Sequence, residues 1–324
     1  MKRNIWSHGL LVLVLLILIV RPCLGAEDPA KFPSKPITMI IPTVGGSSDI
    51  TGRKLADLAT KILGQPVVVE NKAGGGSVIG TTVVANAAPD GYTIGKASFG
   101  PLVYVPHMSS VPYKTKEDFS WIMQYADTTM VFCVRADSPW KTFKEFVEDA
   151  RRNPGKLSFS SPGLYGGQHI FLLEVFSIEQ VKLNYIPVTG GAEAATQLLG
   201  GHIDAVLTSE TIPHVRAGKL RALAVQTENR HEQFPDLPTF KELGYTRDPV
   251  IWFGLFAPKG LHPVVVKKLQ DTFKMAYDDP SFKELCYKLD LVPVYRDSES
   301  FKAVVHRDFD INAQLLKQFG APRK

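Results

Sequence analysis

Residues 37–41 form a short apolar run, and Leu55, Leu58, Ala59, Ile62 and Leu63 follow at i, i+3, i+4, i+7 and i+8. The first pattern predicts a strand and the second an amphipathic helix ending near Leu63. The rhythm then repeats. Strands are predicted at 67–70 and 93–97 around a helix at 78–87, with Gly64, Pro66 and Pro89-Asp90-Gly91 as stop and turn signals. A second set follows, with helices at 142–152, 168–178, 192–199 and 211–217 and strands at 156–160, 181–188, 203–208 and 220–226. Such alternation predicts an α/β protein whose helix-covered sheets are mostly parallel.

Two stretches break the rhythm. Residues 121–134 read as one long extended segment with a polar middle, and the strongly apolar 250–258 reads as a returning strand. Two crossings between two domains are therefore expected, with residues 27–127 and 250–324 in domain 1 and 128–249 in domain 2. The tail predicts helices at 264–278, 281–289 and 298–319 and a strand at 292–295, while 101–112 reads as a Pro-rich loop and 227–248 as a polar loop with a short helix at 240–243.

The junction between the first strand and helix is the first candidate site. Val44, Gly45, Gly46, Ser47, Ser48 and Asp49 stand there, where glycines allow close backbone approach and first-turn N–H groups lack intrahelical acceptors, an arrangement suited to a carboxylate or phosphate. A plain helix cap by Ser48 or Asp49 explains the same residues. The device recurs, however: Ile41-Pro42-Thr43-Val44-Gly45-Gly46 is echoed by Ile186-Pro187-Val188-Thr189-Gly190-Gly191, again between a strand and a helix beginning at Ala192. Two such junctions in different halves predict two jaws around one ligand.

Other strands also end in small or polar residues, namely Gly76 and Ser77, Ser98, Ser161 and Ser209, and in open α/β sheets ligands gather outside the carboxyl ends of strands. Gly167 and His169 open a helix in one of these loops; for His169 a solvent-facing position at the helix start is the favoured reading over ligand contact. Tyr165 and Phe99 offer rings that stack on a ligand or, more simply, pack a wall. Arg53 reads as part of a solvated helix face.

Lys2 and Arg3 precede an unbroken apolar run from Leu10 to Val20 and then small residues at Gly25 and Ala26. This predicts a secretory signal peptide over residues 1–26, with an uncleaved anchor as the minor alternative. Three of the basic residues behind the formal charge of +5, Lys2, Arg3 and Arg21, fall in that segment, so the remainder is nearly neutral and carries no nucleic-acid footprint. At 324 residues, 44% hydrophobic and 21% charged, the chain is long enough for two cores. Cys133 and Cys286 read as buried thiols, with a disulfide between them left open.

Several chemistries are excluded by spacing. Gly74-x-Gly76-x-x is followed by Ile79, not the glycine a dinucleotide fingerprint needs, and neither Gly45 nor Gly46 is followed by the Gly-Lys of a phosphate loop. No serine sits in G-x-S-x-G. The eight histidines form no H-x-x-x-H pair and no C-x-x-C occurs, so neither metal nor cofactor is expected.

Seven motifs in order resemble one family: Phe32-Pro33-Ser34-Lys35-Pro36-Ile37, Gly64 to Gly74 (GQPVVVENKAG), Ala88-Pro89-Asp90-Gly91-Tyr92-Thr93, Gly190-Gly191-Ala192, Leu199-Gly200-Gly201-His202-Ile203-Asp204, Ala217 to Ala224 (AGKLRALA) and Trp252 to Pro258 (WFGLFAP). The chain is similar to the periplasmic receptors of tripartite tricarboxylate transporters, also called Bug receptors. The resemblance implies a two-domain periplasmic binding protein, or flytrap, fold, with a small carboxylate held in the interdomain cleft by backbone N–H groups and water from one glycine loop in each domain. Those loops fall on Val44 to Asp49 and on Thr189, Gly190, Gly191 and Ala192. The first departs from the family by its added hydroxyls, and the Phe99-Gly100-Pro101 loop lacks the usual serine pair, so ligand identity does not transfer.

The expected function is capture of a small organic anion, a mono- or dicarboxylate, by a monomer that delivers it to membrane permease subunits without breaking a bond. Two other classes compete: a sensor presenting its closed form to a signalling partner, and an enzyme using Asp49 or His169.

Overall fold

The computed structural model describes residues 28–162, 164, 166–188, 190–245 and 250–319. The predicted signal peptide, Tyr165 and Thr189 lie outside them. β1 (Ile37–Ile41) sends Ile37, Met39 and Ile41 into one core cluster and Ile40 into another, which is why it reads as a continuous apolar run. α1 (Gly46–Leu63) buries Leu55, Leu58 and Ala59 on that first cluster and stops at Gly64, whose left-handed φ of 68° lets its N–H reach the Thr60 carbonyl. β2 (Val67–Asn71), α2 (Val78–Ala85) and β3 (Thr93–Ser98) follow. The expected loop after β3 is helical instead: a π-type turn at Gly100–Tyr104 runs into α3 (Val105–Met108), because prolines at the start of each turn replace N–H groups that have no helical acceptor.

β4 (Phe119–Thr128) and β5 (Met130–Arg135) replace the single extended segment expected at 121–134. Only Thr129 separates them, yet they belong to different sheets. The second sheet is then built from α4 (Phe143–Arg152), started by a Thr142/Glu145 capping box, β6 (Ser158–Ser160), α5 (Gly167–Ile178), β7 (Asn184–Tyr185), α6 (Gly191–Leu199), β8 (Ala205–Thr208), α7 (Ile212–Arg216) and β9 (Leu220–Gln226). β7 is far shorter than the expected strand at 181–188; it is an edge strand paired only with β6, and Pro187 has no N–H to extend the ladder. The short helix expected at 240–243 is a set of turns.

The chain returns through β10 (Trp252–Pro258), α8 (Pro263–Asp278), α9 (Pro280–Lys288), β11 (Leu291–Arg296) and α10 (Ser298–Gln318). The strand orders are β11-β4-β10-β3-β1-β2 and β7-β6-β8-β5-β9. Both sheets are mixed, not mostly parallel as the alternation suggests. β1 runs parallel to β2 and β3, but β10 is antiparallel to β3 and β4, and β5 antiparallel to β8 and β9. The chain changes sheets between β4 and β5 and again between β9 and β10, not through the strand–helix–strand units that make the parallel pairs, so β4, β5 and β10 oppose their neighbours. The two crossings are tied together, the Thr128 N–H and hydroxyl both donating to the Ile251 carbonyl at 2.7 and 3.0 Å.

Each sheet is cored on both faces. Ile170 of α5 packs with Leu315 and Leu316 of α10, joining the two units along one side. Cys133 and Cys286 are each free and buried, Cys133 in the second sheet's core and Cys286 in the first's.

Candidate functional site

Gly45 and Gly46 both have φ near 70°, a region open to glycine at little cost. Gly45 is the N-cap of α1 and Gly46 its first residue, so Ser48 and Asp49 lie within the first turn and not at the cap position where a simple capping reading puts them. Asp49 instead turns backward. Its Oδ2 accepts the Gly45 N–H at 2.9 Å, and its Oδ1 accepts from Asn71 Nδ2 at 3.0 Å and Arg53 Nε at 3.1 Å. Burial raises the Asp49 carboxyl, but the Asn71 amide, the Gly45 N–H and the Arg53 guanidinium outweigh it and hold it below its ordinary range.

Asp49 thus shapes the loop without occupying the N–H groups of Gly46, Ser47 and Ser48, which the helix itself leaves without acceptors. Val44 at the loop tip is 75% exposed. Arg53, expected on a solvated face, is half exposed but bridges Asp49 and Asn71. Asn71 also donates to the Thr43 carbonyl at 2.6 Å, linking β2 to the same loop. It belongs to a recognised motif, yet only the fold shows it holding the loop.

Ser77 adopts φ 74° and donates its hydroxyl to the Pro42 carbonyl at 3.1 Å, with Gly76 in the same left-handed region beside it. Gly80 supplies the close approach there: a Cβ would meet the Lys72 carbonyl at 2.7 Å and Pro42 at 2.8 Å. Ser98 ends β3 and accepts from Lys96, a residue that sequence reading passed over. Phe99 is a wall residue, buried edge-on to Trp252 at 5.7 Å.

In the second unit, Ser160 donates to the Ile186 carbonyl at 2.7 Å and Tyr185 donates to the Ser161 carbonyl at 3.2 Å, drawing together the loops after β6 and β7. The solvent-facing reading of His169 does not hold. Its ring is 3% exposed and stacked on Tyr185 with centroids 3.8 Å apart, because α5 turns this position toward the sheet; burial lowers its basicity to a pKa of about 4. Gly190 is the extended N-cap of α6, Gly191 its first residue, and Ala192 is exposed beside them.

The loop after β8 brings Glu210 against Gly191. The Thr208 and Ser209 hydroxyls both donate to the Glu210 carboxylate, and a Cβ on Gly191 would strike that carboxylate and the Thr208 hydroxyl. Glu210 was missed because a lone acid after a strand carries no periodic or motif signal.

The two groups of loops meet where Gly167 lies against Phe99, 3.5 Å from a Cβ position to the ring, and where the Tyr104 hydroxyl donates to the Leu164 carbonyl at 3.4 Å. Near the crossings, Gln124, Asp127, Trp252, Glu228, Arg296 and Arg307 line a separate polar cavity of about 160 Å³. Among the described residues no group of three or more His, Cys, Asp or Glu is placed to hold a metal ion, and no helix is long and apolar enough to cross a membrane.

A family model described as tripartite tricarboxylate transporter family receptor matches residues 51–321. A protein of Cupriavidus necator, described as the UPF0065 protein in gbd 5'region, is 41% identical over 292 residues, 90% of this chain and 89% of that one. Among solved structures, a TctC solute binding protein from Polaromonas has 32% identity and a TM-score of 0.81, covering 89% of this chain and 99% of its own. MatC from Rhodopseudomonas palustris with bound malate has 25% identity and a TM-score of 0.69, covering 88% and 100%.

Proposed function

The chain belongs to the tripartite tricarboxylate transporter family of receptors, and we propose that it captures a small organic carboxylate outside the cytoplasm and delivers it to the membrane subunits of such a transporter. Residues 27–127 with 250–324 form one jaw and 128–249 the other, with residues 1–26 as the export signal. Val44 to Ser48 and Gly190 to Ala192 offer the backbone donors, and Gly76, Ser77, Ser98, Ser161, Gly167 and Ser209 line the space between.

The observation that carries this reading is the turn of Asp49 away from the first turn of α1, with its charge met by Arg53 and Asn71. The acid orders the glycine loop while the helix-start donors stay available to an anion. Charge-assisted hydrogen bonds of this kind contribute roughly 1.5–3 kcal/mol each. A ligand held by both jaws favours the closed arrangement by its difference in affinity for the two states. The malate in MatC supports the ligand class.

Native mass spectrometry of protein purified without refolding, followed by thermal melts with mono-, di- and tricarboxylates, tests the proposal. An intact co-purified carboxylate, or stabilisation by one class at stoichiometric occupancy, is expected. Conversion of the carboxylate, or no stabilisation by any of them, overturns it.

A further inference from the structure

Lys96 stands in β3, paired on one side with β1 and on the other with β10, and its side chain is fully buried. Its Nζ donates to Ser98 Oγ at 2.7 Å and lies 3.4 Å from the centroid of the Phe253 ring. No ion pair to a carboxylate is present for it among the described residues. Extending the register Ile40 with Gly95 sets Lys96 level with Ile41, the last residue before the first glycine loop. Gly52 of α1 makes the room, since a Cβ there would crowd Ile41 at 2.6 Å and touch the lysine stem at 3.9 Å.

Each neighbouring element presents an uncharged face. β10 offers Phe253 and, opposite Lys96, Leu255; β1 offers Ile41; α1 offers Gly52 and Thr51, whose hydroxyl lies 3.3 Å from that of Tyr125 on β4. Asp49 and Arg53 of the same helix engage one another. An ammonium buried without a counter-ion is strongly disfavoured, and burial accordingly holds Lys96 well below its ordinary range. Leucine or methionine would fill this volume without that cost. Among the described residues, the polar atom that Lys96 bonds, Ser98 Oγ, belongs to the proposed cleft.

We infer that Lys96 is the buried counter-charge of the binding cleft: an anion held between the jaws is compensated by the Lys96 ammonium through Ser98, so that capture of a carboxylate takes up a proton. This rests on the carboxylate reading above. It makes Lys96 a positioning residue for anion selectivity, acting from behind the pocket wall. The sign follows from linkage. Burial disfavours the Lys96 ammonium in the free protein, the bound anion favours it, and affinity falls as pH rises.

Calorimetry with malate and with adipate at pH 7 and pH 9, each in two buffers of different ionisation heat, tests it on wild type and Lys96→Met. Wild type is expected to take up a proton on binding and to lose about tenfold in affinity for each pH unit over which that uptake is complete. Lys96→Met is expected to bind at least about tenfold more weakly, with no proton uptake, and to melt no lower than wild type without ligand. Equal affinity and equal proton count in the two proteins overturn the role of Lys96 alone. Binding by neither overturns the carboxylate reading and this inference with it. Should the variant not fold, the Lys96 Cε resonance of 13C-lysine-labelled wild type decides: a shift to the protonated position on adding malate supports the inference, and an unchanged resonance overturns it.

Discussion

Asn71 donates one amide group to two acceptors, Asp49 Oδ1 at 3.0 Å and the Thr43 carbonyl at 2.6 Å, and so clamps the first glycine loop from the neighbouring strand. Asp49→Ala removes three accepted bonds at once. The expected outcome is a loss of about 1–2 kcal/mol in urea unfolding and a drop of at least about tenfold in carboxylate affinity by calorimetry. Asn71→Ala should reproduce the affinity loss. Wild-type affinity in both variants contradicts a loop ordered by this clamp.

Gly191 is the first residue of α6 and follows an extended Gly190, a setting that proline tolerates. Gly191→Pro deletes one helix-start donor and pushes a ring toward the exposed Glu210 carboxylate, which has room to swing. Circular dichroism should stay near wild type and the ligand-free melt should fall somewhat, since the ring also meets the buried Thr208 hydroxyl, while stabilisation by added carboxylate is expected to vanish. Undiminished stabilisation removes α6 from the site.

Asp127 lies near the end of β4, beside the crossing. Burial pushes its carboxyl up to about 7, against the pull of the Arg296 guanidinium. The folded state therefore keeps a proton that the unfolded chain releases between pH 3.8 and about 7, and stability falls as pH rises through that window. Asp127→Asn is expected to stabilise by about 2 kcal/mol at pH 8 and by almost nothing at pH 4, read from urea melts. A gain of equal size at both pH values refutes the titration of Asp127 as its source.

Cys133 and Cys286 sit in separate cores, and burial pushes both thiols up to about 12. In the chain lacking residues 1–26, neither should react with an aromatic disulfide reagent at pH 8 on the timescale of a free thiol, the native rate being lower by about a thousandfold. Two thiols should titrate in urea. A native count of two, or a count of none when unfolded, contradicts free buried cysteines.

The sequence alone determined most of the elements and the two glycine junctions, because periodicity and turn chemistry depend on residues a few positions apart. Leu55, Leu58 and Ala59 share a helix face whatever they pack on, and Gly45 and Gly64 permit left-handed turns wherever they fall. The seven motifs added the family. What the tertiary structure decided depends on residues far apart in the chain. Strand direction is invisible to a pattern of alternation, so β10 and the break at Thr129 emerged only from pairing. His169 became a buried ring because Tyr185 lies over it, Glu210 met Gly191 because β8 and α6 converge, and Lys96 lost water because Phe253 and α1 close around it. Burial and charge compensation are sums over neighbours, and only the folded chain supplies the neighbours.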